Sequence, residues 1–255
     1  AGMGGFFMHS RSGLKTEYMG EQWLKCIKAA INTAKLQGKK AYLYDEDRYS
    51  SGFAGGQICR DHPEYRMKHL TVSFSENQDS ETLSVFAIRF AEDGSVLGYR
   101  RLQPEEIAKC GETKVWFQIS DFVKNGAWYN DSAPPDICNS DAVDVFIQST
   151  YEKYAHCCGG EFGKTIPAIF TDEVCISILQ NGKMGKDTVA NHHWTAHYED
   201  IFQNRYGYDM RDYLPELFFE VVSPVKPTIA RDYITGLADL FEVNYSKKLS
   251  DWCRQ

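Results

Sequence analysis

The chain has 255 residues, 43% of them apolar, and a net charge of -7, so it can bury a core of barrel size as one domain or as a domain with an insertion. It has no long Lys/Arg run, which argues against nucleic acid or an anionic membrane as partner, and no apolar run long enough to cross a bilayer. Fifteen Tyr, fifteen Phe and five Trp suit stacking against sugar rings, and equally suit a large core.

The eight cysteines (Cys26, Cys59, Cys110, Cys138, Cys157, Cys158, Cys175 and Cys253) are scattered, with neither C-x-x-C nor zinc spacing. Adjacent Cys157 and Cys158 fit disulfide geometry with each other poorly. Reduced thiols are expected, which favours a cytoplasmic location. No signal-peptide pattern precedes the first strand. The chain begins Ala1-Gly2-Met3-Gly4-Gly5 and ends at Gln255 within an amphipathic helix, so it reads as a segment of a longer polypeptide with further domains.

In chain order, residues 5–9 read as a buried strand entered through glycines and left through a polar turn, with His9 and Arg11 at its C-terminal end. Residues 20–37 have a helical period, with Trp23, Leu24, Ile27, Ala30, Ile31 and Ala34 on one face and Gly38 as the stop. A second strand, residues 41–44, runs into Asp45-Glu46-Asp47-Arg48. Strand, helix and strand over about 40 residues form a βαβ unit, which demands parallel pairing and a right-handed crossover. The Ser50-Ser51-Gly52-Phe53-Ala54-Gly55-Gly56 loop lacks both phosphate-cradling glycine patterns.

Between residues 67 and 127 the period changes to two, with strands expected at 70–74, 83–90, 96–102 and 115–122 and a hairpin turn at Glu92-Asp93-Gly94. This is an antiparallel insertion between barrel segments at 1–66 and 128–255. A helix capped near Asn139 or Ser140 follows, with Val143, Phe146, Ile147, Thr150 and Tyr154 on its buried face. Residues 166–170 then read as a strand buried on both faces and ending in Asp172-Glu173. After a Gly/Lys/Asp loop, His192-His193-Trp194 is expected in a loop or helix cap, because adjacent histidines diverge and H-E-x-x-H spacing is absent. Helices are expected up to Tyr206, within 208–219 and over 228–253.

The mouth of a barrel of alternating strands and helices is where active sites assemble. Strand alternation sends Asp172 and Glu173 to opposite faces, which favours Glu173 as the residue in the site. A solvated strand end or helix N-cap accounts for the same two acids. His9 reads as a core histidine or a ligand contact, and the 45–47 acids as ligand contacts or partners of Arg48.

Taken together, GGFFMHSRSGL, AYLYDEDRYSSGFAGG, FGKTIPAIFTDE and RYGYDMRDYLPELF resemble the catalytic barrel of the α-L-rhamnosidase-like glycoside hydrolases, glycoside hydrolase family 106 and its relatives. The resemblance covers most of the chain outside the β-rich insertion. It implies a (β/α)8 TIM-type barrel, part of it in this chain, that hydrolyses a plant or microbial oligo- or polysaccharide without a cofactor or metal. It implies Glu173 as a catalytic carboxylate with Asp172 beside it, and His9, Arg11, Tyr44, Asp45, Asp47 and Arg48 as substrate contacts. The family follows the Glu with Pro, where this chain has Val174. The second catalytic carboxylate is implied on a strand after the long final helix, with Asp45 or Asp47 as the candidates inside this chain. A non-catalytic carbohydrate-binding protein and a metal-dependent barrel hydrolase using Asp45, Asp47, Glu173 and His9 are the alternatives.

Overall fold

The computed structural model describes residues 2–10, 13–48, 50–103, 105–122, 129–174, 176 and 191–255. Its elements begin β1 (Gly5–Met8), α1 (Glu21–Leu36), β2 (Lys40–Tyr44) and α2 (Gln57–Asp61). Four strands follow: β3 (Lys68–Ser73), β4 (Glu81–Phe90), β5 (Val96–Leu102) and β6 (Thr113–Asp121). Then come α3 (Ser140–Phe146), α4 (Lys153–Cys158), β7 (Ile169–Phe170), β8 (Asn191–Trp194) and α5 (Tyr198–Tyr206). The last helices are α6 (Leu214–Phe218), α7 (Ile229–Phe241) and α8 (Lys248–Cys253). The chain divides into two compact units, one of Ala1–Arg66, Val123–Cys175 and Lys248–Gln255, the other of Met67–Phe122 and Ile176–Lys247.

The first unit is built on a parallel sheet in the order β1-β2-β7. Phe7 pairs with Tyr42, and Tyr44 with Phe170, which fixes the register. The helical stripe of α1 puts Ile27, Ile31 and Ala34 in a core with Met8, Ala41, Leu43, Tyr154 and Ile166. Each fully buried aliphatic side chain of this kind contributes roughly 1.5–3 kcal/mol. Gly38 ends α1 at φ 62°, and the Lys39 N–H returns to the Ala34 carbonyl at 2.8 Å. The start of α3 is capped by the Asn139 carboxamide, which accepts the Asp141 N–H at 2.9 Å. From α8, Trp252 packs edge-on to Tyr151 with centroids 5.0 Å apart and donates to Glu152 at 2.6 Å.

The second unit carries an antiparallel sheet in the order β5-β4-β6-β3-β8. The β4–β5 hairpin turns where expected, with Gly94 at φ 86° and the Asp93 carboxylate accepting the Ser95 N–H at 2.9 Å. On one face Phe117 packs edge-on against Phe86 and Phe218, with centroids at 5.4 and 5.3 Å. Tyr198 Oη donates to the Tyr233 carbonyl at 2.5 Å, and Tyr233 Oη donates to the His193 carbonyl at 2.6 Å.

The expected (β/α)8 barrel is not formed. Among the described residues the parallel sheet stops at three strands, with β1 and β7 as its edges, whereas closure takes eight strands of matched tilt and stagger. The period-two runs joined by hairpin turns satisfy one another's backbone groups in a sheet of their own. His192-His193-Trp194 joins that sheet as β8 and is neither loop nor helix cap. Residues 166–170 also depart from a strand buried on both faces. The regular pairing with β2 is limited to Ile169–Phe170, and Phe170 and its neighbour Phe7 are 42% and 55% exposed.

Candidate active site

Three parallel strands bring their C-terminal ends to one edge of the first unit's sheet. His9 follows β1, Tyr44 closes β2 with Asp45 to Arg48 behind it, and Thr171, Asp172 and Glu173 follow β7. The His9 ring lies on the Tyr44 ring, with centroids 3.5 Å apart and planes 19° apart. Its Nδ1 faces the Ser10 carbonyl oxygen, an acceptor. Tyr44 Oη donates to Asp172 Oδ2 at 3.0 Å and lies 2.9 Å from the Arg48 carbonyl oxygen. Burial first, then the Asp172 carboxylate, raises the Tyr44 phenol well above its ordinary range. Arg11 lies outside the described residues.

The acid cluster after β2 divides by partner. Asp45 is fully buried, and Tyr151 Oη donates to its Oδ2 at 2.7 Å, Ser51 Oγ to its Oδ1 at 2.5 Å and Thr171 Oγ1 to its Oδ2. Burial raises its carboxyl, and the three hydroxyls pull it back. Glu46, also fully buried, accepts the backbone N–H groups of Asp47, Phe53, Ala54 and Gly55 at 2.7–2.8 Å. Burial pushes it up to about 8 against those donors. Asp47 is 5% exposed, with Oδ2 3.1 Å from the Asn130 amide nitrogen and 3.8 Å from Arg48 Nε. The carboxylates of Asp45 and Glu46 are therefore committed to holding the loop through residues 51–55, with no face left for a ligand.

The strand end after β7 is held differently. The Asp172 N–H donates to Ser51 Oγ at 2.7 Å, and the Ser51 N–H donates to the Asp172 carbonyl at 2.9 Å. Asp172 is half-buried, whereas Glu173 is exposed and has φ 35°. A non-glycine residue in the left-handed region costs about 1–2 kcal/mol, which the surrounding bonds must offset.

His9, Tyr44 and Asp172 thus touch one another in sequence, while the predicted contacts Asp45 and Asp47 point into the protein. The ligand atoms of His9, Asp45, Asp47 and Glu173 do not gather into a metal-sized cluster among the described residues. Sequence reasoning passed over Ser51, Tyr151 and Thr171, whose hydroxyls meet on Asp45. A Ser six residues past a strand-end acid is a faint signal for Ser51. None exists for Tyr151, which reaches Asp45 from a helix more than a hundred residues away.

Comparison with models of known families, with curated proteins and with solved structures finds no match. No helix among the described residues is long and apolar enough to cross a membrane.

Proposed function

We propose that this strand-end cluster is a carbohydrate-hydrolysing site with Glu173 as its general acid, as the resemblance to α-L-rhamnosidase-like glycoside hydrolases implies. The observation that carries this reading is the sorting of the acids. Asp45, Glu46 and Asp47 are buried, and Glu173 is the carboxylate offered to solvent at the same edge of the sheet. Hydrolysis needs a protonated carboxyl that gives its proton to the leaving glycosidic oxygen as the C–O bond breaks, and a carboxylate that activates water or attacks the anomeric carbon. In this reading Glu173 takes the first role. Asp172, its neighbour in the chain, is turned to Tyr44 Oη and is not assigned the second. The His9 imidazole and the aromatic rings of Tyr44 and Phe170 line the approach as polar contact and apolar wall.

The test is turnover of aryl glycosides, the α-L-rhamnoside among them, by the wild-type protein and by Glu173→Gln. Loss of a general acid costs typically 10²- to 10⁴-fold, with little change in melting temperature because the side chain is exposed. Equal turnover by the two proteins, or none by either, overturns the reading.

A further inference from the structure

We propose that Ser51, a residue of the glycine-rich loop, is a positioning residue that sets the direction of the Glu173 carboxyl. This rests on the reading of Glu173 as the general acid. Two peptide groups flank Asp172, and Ser51 holds both. Its Oγ accepts the N–H of the peptide joining Thr171 to Asp172 at 2.7 Å. Its own N–H binds the carbonyl of the peptide joining Asp172 to Glu173 at 2.9 Å. That second peptide carries the Glu173 nitrogen, from which the N–Cα bond leads to the side chain at φ 35°, so the bond holds the peptide on which Glu173 hangs.

Ser51 is itself held firmly enough to do this. It is 3% exposed, and its hydroxyl proton is committed to Asp45 Oδ1 at 2.5 Å, which leaves the Oγ lone pairs for the Asp172 N–H. Asp45 in turn takes the hydroxyl of Thr171, the residue before Asp172, so both ends of the short segment 171–172 refer to one buried carboxylate. Two residues further on, the N–H groups of Phe53, Ala54 and Gly55 are fastened to Glu46, and the loop cannot drift without breaking them. Ser51 is thus tied to Asp45, and the residues after it to Glu46, and the peptides on either side of Asp172 are bonded to Ser51.

The experiment compares Ser51→Ala, Ser51→Thr, Glu173→Gln and the Ser51→Ala/Glu173→Gln double variant with wild type. Ser51→Ala keeps the backbone bond but loses both Oγ bonds. It is expected to lower kcat by about tenfold to a hundredfold, as a misplacement of about 1 Å does, with KM little changed. Ser51→Thr keeps a hydroxyl and restores part of that loss. Acting through Glu173, Ser51→Ala slows the Glu173→Gln protein no further. An equal fold-loss in both backgrounds overturns the positioning role, whereas full activity of Glu173→Gln alone overturns the general-acid reading instead. Hydrogen exchange at the Asp172 and Glu173 amides gives a readout that needs no substrate. It is expected to quicken in Ser51→Ala by about tenfold or more beyond the change at core amides of the same unit, and exchange there that changes no more than the core sinks the proposal.

Discussion

Tyr44 and Asp172 lie 128 residues apart in the chain and meet at 3.0 Å, phenol to carboxylate, at the end of the β2–β7 pairing. The bond continues the sheet where the backbone ladder stops. It holds the β7 end beside β2 while Ser51 holds it from the loop.

Tyr44→Phe removes that donor and leaves the ring stacked between His9 and Phe170. A hydrogen bond to a charged group contributes about 1.5–3 kcal/mol, so the variant is expected to lose stability in that range by urea denaturation. A loss under about 0.5 kcal/mol would mean that water replaces the phenol without cost.

At Asp45, ligand contact and stability separate. Its carboxylate accepts from Ser51, Tyr151 and Thr171, and an Asn amide would present a donor to at least one of them. Each stranded buried group costs about 1–3 kcal/mol. Asp45→Asn is therefore expected to melt well below wild type, while, on the proposed function, the protein that stays folded still binds carbohydrate. Weakened binding at an unchanged melting temperature would return Asp45 to the ligand.

In the second unit, acid should act through two histidines. His69 stands across from His193 in the β3–β8 ladder, and His192 packs edge-on to Phe218 at 4.5 Å. Burial first, and then a neighbouring imidazole, lowers both His69 and His192 to about 4. In the unfolded chain each protonates near 6.5. Their contribution to stability is complete above pH 6.5 and is lost as pH falls from there toward 4. Each adds up to about 1.4 kcal/mol per pH unit to the slope. Urea midpoints taken between pH 7.5 and 4.5 should show a shallower decline for His69→Gln than for wild type. Parallel curves would mean that the imidazole is solvated.

Gly236 in α7 sets helix propensity against packing. Alanine there gains about 1 kcal/mol in helix propensity. Its Cβ, however, would stand 2.5 Å from Tyr198 Oη, which is buried and bonded to the Tyr233 carbonyl. Overpacking costs typically 1–3 kcal/mol, so Gly236→Ala is expected to be net destabilising, with Tyr198→Phe in the same chain recovering part of the loss. A higher melting temperature for Gly236→Ala alone would show that the tyrosine yields.

What the sequence by itself determined is what neighbours along the chain decide. The apolar stripe of α1 and its stop at Gly38, the Asn139 cap and the Asp93-Gly94 turn each rest on contacts within a few residues. The parallel pairing of β1 with β2 follows from one intervening helix. Tertiary structure decided which way each acid faces. Asp45, Glu46 and Asp47 look alike in sequence, yet hydroxyls 106 and 126 residues away claim the first, and the loop N–H groups claim the second. It also decided that His192-His193-Trp194 lengthens an antiparallel sheet and that three parallel strands do not close a barrel. A strand's edge bonds to whichever backbone the rest of the fold sets beside it, and a buried carboxylate to whichever donors arrive. Neither choice is written in the residues nearby.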